Sequence, residues 1–164
     1  MGDNPRVMVY DELEVGEELP TLEFAIGEDT QGRYLMAVQD DNPWYYKESP
    51  WGSPVVHVST LDILPMWAVT YKYEYPFGWV HARQETEFIN PVPVGKPLRA
   101  VSKIAEKYRR KERGYIVVES LVVDGDGREI MRFRNHGMID DERIRQARKS
   151  GLRSAAAQIY RRGK

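Results

Sequence analysis

The residues best equipped for chemistry stand close together in the first third of the chain. They are Asp40-Asp41-Asn42-Pro43-Trp44-Tyr45-Tyr46, followed by Ser53-Pro54-Val55-Val56-His57. A carboxylate, an amide, a phenol and an imidazole thereby gather around one polar turn and the entry to a long apolar segment. Carboxylates and imidazoles move protons, and a helix start offers free backbone N–H groups to an oxygen carrying negative charge. Each residue also has a plainer use. Asp40 suits a turn or cap, Asn42 before Pro43 is a loop former, and His57 can be satisfied by the backbone at a helix start. Taken alone, each residue favours its plainer use.

The elements that must hold this set can be read from periodicity. Val7 to Tyr10 is a short apolar strand, and Thr21 to Ile26 alternates as a strand does. Tyr34, Leu35 and Val38 recur at helical spacing, so a helix over residues 28–39 leads into Asp40. Pro43, Pro50, Gly52 and Pro54 then enforce a loop. From His57 to Tyr71 the apolar residues cover more than one face, which predicts a central buried helix, kinked at Pro65. Four strand patterns follow: Trp79 to Ile89, Leu98 to Arg110, Tyr115 to Val123 and Glu129 to Ile139. A charged turn from Lys111 to Gly114 and the Asp124-Gly125-Asp126-Gly127 run separate the last three, and Asp-Gly pairs suit tight hairpins. The near-continuous apolarity of Tyr115 to Val123 predicts a central strand covered on both sides. Together these patterns predict an α+β domain, an antiparallel sheet wrapped on a helix.

With 164 residues, 41% hydrophobic and 30% charged, the chain predicts one globular domain over residues 1–140. Residues 141–164 hold eight Lys or Arg against Asp141 and Glu142 and read as a basic helical tail. The net charge of −1 points neither to nucleic acid nor to anionic lipid. No apolar run reaches the roughly 20 residues that span a bilayer, and Met1 to Arg6 lacks the pattern of a signal peptide. A cytoplasmic location is the simplest expectation. Without cysteine there is no disulfide, thiolate site or thiol nucleophile, and His57, His81 and His136 have no metal-ligand spacing, so no metal is expected. His81 and His136 lie on strands and read as structural. All four Trp fall between residues 44 and 79, with Tyr73, Tyr75 and Phe77 among them, and these rings suit a wide apolar pocket, an interface or extra core.

Taken in order, Asp40 to Tyr45, the Pro54 to His57 step, His81-Ala82-Arg83-Gln84-Glu85, Phe88 to Gly95 and the strands around Asp126-Gly127 resemble a MaoC-like dehydratase of the hotdog superfamily. The likeness is to the amino-terminal type, in which Asn-Pro is followed by Tyr and a Gln-Glu pair precedes a Pro-Val-x-x-Gly turn. It runs from about residue 10 to 139. The resemblance implies a single hotdog domain, paired with a second copy or a hotdog partner, acting on acyl thioesters of CoA or acyl-carrier protein without a cofactor. The implied reaction is reversible addition of water to a 2-enoyl thioester.

In the family's Asp-x-Asn-Pro-x-His run, Asp40 matches the Asp and Asn42-Pro43 match Asn-Pro, but Tyr45 occupies the His position. A phenol with an ordinary pKa near 10 is a poor base at pH 7, though it can donate a proton or orient water. Asp40, Tyr45 and His57 are therefore the expected catalytic residues. Asn42, Trp44 and Val58 are the expected substrate contacts, Val58 standing where a glycine often follows the matching His. Two alternatives belong to the same fold: a non-catalytic subunit whose partner brings the catalytic residues, and a thioesterase using a carboxylate of the central helix such as Asp62.

Overall fold

Alternating side chains and tight turns lay out the larger sheet. The computed structural model describes residues 6–74 and 79–149. Its strands are β1 (Arg6–Val7), β2 (Leu22–Phe24), β3 (Tyr73–Glu74), β4 (Trp79–Phe88), β5 (Leu98–Arg110), β6 (Arg113–Asp124) and β7 (Glu129–Ile139). Its helices are α1 (Glu28–Val38), α2 (Trp67–Lys72) and α3 (Asp141–Lys149). Strands β2, β5, β6, β7 and β4, in that order, form an antiparallel sheet, while β1 and β3 pair in parallel beside it. The β4 edge has no neighbour among the described residues.

One face of the sheet carries the core. Leu98, Ala100 and Ile104 of β5, Ile116, Val118 and Val122 of β6, and Met131, Phe133 and Ile139 of β7 are buried with Leu61, Met66, Ala68 and Val69 of the central segment. Their spacing of two is what a pleated strand requires. β6 is the middle strand, as its apolarity predicts, but it is not evenly covered. On its outward side only Val117 is fully buried; Tyr115, Glu119, Leu121 and Val123 are half-exposed. Beside those positions lie cross-strand neighbours such as Arg134, which reaches Glu119 at 3.0 Å.

The central segment is helical from Val58 to Lys72 but is not one regular α-helix. Residues 58–60 and 64–66 are 3₁₀ turns joined by a turn at 61–63, and only 67–72 are α-helical. Bonds from Leu61 N–H to Val58 O, from Leu64 N–H to Leu61 O and from Met66 N–H to Ile63 O keep the tighter spacing. Pro65 explains this: it has no N–H to donate and its ring crowds the carbonyl one α-turn back. The predicted kink is therefore a change of helix type over nine residues.

The other elements lie close to their sequence patterns. The strand expected over Val7 to Tyr10 is shorter, since Tyr10–Glu12 turns into a 3₁₀ helix. The basic segment begins as α3, whose Ile144 is buried in the core; residues 150–164, like Tyr75 and Phe77, lie outside the described residues. No helix among the described residues is long and apolar enough to cross a membrane.

The β5–β6 turn is costlier than it needs to be. Arg110 pairs with Arg113, leaving Lys111 and Glu112 as a two-residue loop at φ 48° and 62°. That left-handed region costs an L-residue roughly 1–2 kcal/mol, part of which glycine gives back as unfolded-state entropy. Glu112→Gly is expected to stabilise the domain by about 0.5–1 kcal/mol. A thermal midpoint that falls would contradict this reading of the turn.

Candidate active site

The site loop is built from nested short-range bonds. Helix α1 ends where Gln39 adopts the left-handed conformation (φ 56°), and the Asp40 N–H then donates to Leu35 O at 3.1 Å. Asp40 Oδ1 accepts from Asn42 N–H at 3.0 Å, and Asn42 Oδ1 accepts from Trp44 N–H at 3.1 Å. Asn42 thereby caps the 3₁₀ turn of Pro43–Tyr45, with proline at the position where a missing N–H costs least. The chain returns beside this loop through Val55 N–H to Trp44 O at 3.0 Å. Val56 N–H to Val92 O at 2.8 Å and Val94 N–H to Pro54 O at 3.0 Å fasten it to the Pro91–Gly95 turn.

His57 caps the first turn of the central segment. Its Nδ1 accepts from Ser59 N–H at 3.2 Å and its carbonyl accepts from Thr60 N–H at 2.9 Å. An accepting Nδ1 fixes the neutral ring as the Nε2–H tautomer. Nε2 stands 3.5 Å from Asp40 Oδ2, and the side chains are 15% and 34% exposed, so the pair is screened from bulk water on one side and open on the other. The rings of Tyr34 and Tyr45 each lie 5.0 Å from the imidazole, centroid to centroid. Burial, and then the Asp40 carboxylate, push the Tyr45 phenol above its ordinary value, so Tyr45 stays protonated at neutral pH and is a donor, not a base.

Asp40, Asn42, Tyr45 and His57 are thus brought together at the start of the central segment. Val58 is 40% exposed there, and its N–H has no acceptor among the described residues. The other two N–H groups of that turn are occupied by His57 itself, so the expected bank of free N–H groups reduces to one. Trp44 joins the site through its backbone; its ring, 43% exposed, packs edge-on against Trp51 at 5.7 Å. Asp62 accepts from Thr86 Oγ1 at 2.6 Å. His81 meets Asn135 at 3.0 Å, and His136 meets Tyr108 at 3.2 Å. Burial, reinforced by Arg134 and Arg83, lowers the His136 pKa. Among the described residues no group of three or more His, Asp or Glu could hold a metal ion.

Two neighbours escaped the sequence pattern. Tyr34 and Gln31 look like ordinary helix residues, yet Tyr34 packs on His57 and Gln31 is 2% exposed with every polar group of its amide bonded. A groove of about 750 Å³ lies away from the Asp40–His57 pair, over the outward rows Val101–Leu121–Arg132–Glu87 and Lys103–Glu119–Arg134–Glu85.

No family model matches the sequence, and no curated protein does. Solved structures do resemble it. The R-hydratase PhaJ1 of Pseudomonas aeruginosa shares 19% identity at a TM-score of 0.67, covering 80% of this chain and 85% of that one. The HadBC (3R-hydroxyacyl-ACP dehydratase) complex of Mycobacterium tuberculosis shares 21% at 0.63, covering 84% and 99%. A MaoC-like dehydratase of Rhodospirillum rubrum shares 15% at 0.67, covering 80% and 96%. The chain has the hotdog fold of the MaoC-like dehydratases and R-hydratases. At these identities the likeness is one of fold, and one fold hosts several chemistries.

Proposed function

We propose that the protein is a hydratase/dehydratase that adds water to a 2-enoyl thioester of CoA or acyl-carrier protein and removes it from the 3-hydroxyacyl product. The observation that carries this reading is the half-screened Asp40–His57 pair, 3.5 Å apart, on the fold of known hydratases. Asp40 Oδ2 takes the proton of a water that the His57 Nε2–H orients. The water oxygen bonds to C3, and the C2=C3 electrons move onto the thioester carbonyl oxygen. That oxygen is met by the Val58 N–H, and C2 then takes a proton back from the pair. Tyr45, held protonated, lines the same space. The reaction calls for neither cofactor nor metal.

A second reading has its own support. Tyr45 in the family's histidine position favours a non-catalytic hotdog subunit that shapes an acyl pocket for a partner. Loss of enoyl absorbance without free thiol, on incubation with enoyl-CoA substrates, tests the main reading. Release of free thiol would point to hydrolysis instead, although Asp62, the carboxylate that hydrolysis would use, is engaged by Thr86.

The partner in either case belongs on β4. This edge strand exposes Val80 and Phe88 and, among the described residues, pairs with no strand on its outer side, a state that sheets usually cover. Sedimentation at micromolar concentration is expected to give a dimer, with itself or with a second hotdog chain; a lone monomer under every condition would count against it.

A further inference from the structure

Gln31 lies on α1, outside every motif of the site, yet its amide makes three bonds to backbone groups of the site. Nε2 donates to Val55 O at 2.8 Å and to Tyr45 O at 3.2 Å, and Oε1 accepts from His57 N–H at 2.9 Å. Those partners lie 14, 24 and 26 residues further along the chain. One neutral side chain with two donors and one acceptor therefore closes the Tyr45 loop, the Val55 return and the His57 turn onto α1. Neither an apolar residue nor a carboxylate supplies that pattern: the first takes the partner from one buried and two part-buried backbone groups, the second sets negative oxygen against two carbonyls. Asp40 follows directly on the end of the same helix.

We propose that Gln31 is the positioning residue of the Asp40–His57 pair. Its amide fixes the His57 backbone relative to α1, and thereby fixes where the imidazole stands against the carboxylate. The activity arm of the test rests on the hydratase reading; the spectroscopic arm does not.

Two variants separate the outcomes, Gln31→Met and Gln31→Glu, each assayed well below its own melting temperature. In Gln31→Met, kcat is expected to fall roughly 10²-fold with KM within a few-fold of the parent, the usual cost of a misplaced catalytic group. The His57 Nε2 ¹⁵N–¹H signal is expected to shift as it loses its fixed place against Asp40, while Nδ1, held by Ser59, keeps its own. In Gln31→Glu the same loss is expected at pH 8. It should shrink as the pH falls and the introduced carboxyl gains a proton to donate to Val55 O, a recovery that a merely space-filling residue has no means to produce. In an active parent, kcat/KM within twofold of normal or an unchanged His57 Nε2 signal overturns the proposal. If the parent hydrates no enoyl thioester, the hydratase reading fails while the His57 Nε2 signal alone still decides for or against Gln31. Loss of the fold in both variants also overturns it, since Gln31 would then serve the whole domain and not the site.

Discussion

Asp40→Asn is expected to lower enoyl-thioester hydration by roughly 10²–10⁴-fold while leaving the fold intact. The amide keeps the size of the carboxylate, and its oxygen can still accept from the Asn42 N–H, so the loop that presents it has no reason to rearrange. What disappears is the only group in the cluster that can take a proton from water. Tyr45 is held protonated by burial and by Asp40, and the Nδ1 of His57 is occupied by Ser59. Tyr45→His is the complementary probe. It restores an imidazole and should raise the rate if the chain is a weakened enzyme. Initial rates across several enoyl chain lengths decide between the readings. Full activity in Asp40→Asn would end the proposed mechanism, and no activity in either the parent or Tyr45→His would leave the non-catalytic subunit.

The largest effect expected on stability comes from Gly137→Ala. Gly137 sits on β7 opposite His81 of β4, and a methyl there would stand inside the six-membered ring of Trp79. Forcing an extra carbon into a packed contact costs about 1–3 kcal/mol. Swinging the half-buried indole outward instead exposes on the order of 100 Å² of apolar surface, or about 2–3 kcal/mol. The two routes overlap at about 2–3 kcal/mol, and thus at a melting temperature lower by roughly 4–12 °C for a domain of this size. Gly125→Ala is the control, because nothing stands within 4 Å of a methyl built there and its φ is not in the left-handed region. Similar melting curves for the two variants would show that the Trp79–Gly137 contact carries little.

The long strands were legible because their signals are local. A strand pattern marks β5, near-continuous apolarity marks β6, and the Asp-Gly turn marks the start of β7, so their observed bounds fall within two residues of the pattern. The site loop was legible for the same reason, since Asp40, Asn42 and Pro43 interact within a few residues of one another. What escaped the sequence depends on distance or on cumulative effects. Gln31 reads as a solvent-facing helix residue, because its three partners are backbone groups, and backbone groups leave no mark in a sequence. The apolar run from His57 to Tyr71 marks a buried segment but not which helix it forms, and a single proline there changes the hydrogen-bond spacing ahead of it. The aromatic cluster divides the same way. Tyr73 is buried, while Trp44, Trp51 and Trp67 are exposed, a split that composition alone does not predict.

Helix α1 has a mechanical consequence. Eleven residues make a rod roughly 16 Å long. Gln31 grips the His57 backbone from one part of it, and Asp40 leaves from its far end. A rod rotates without bending. Any tilt of α1 against the sheet therefore carries the carboxylate and the imidazole together. The space beneath them can widen or narrow while the gap between them holds; under the proposed hydratase function, one proton-transfer geometry would then serve acyl groups of different bulk.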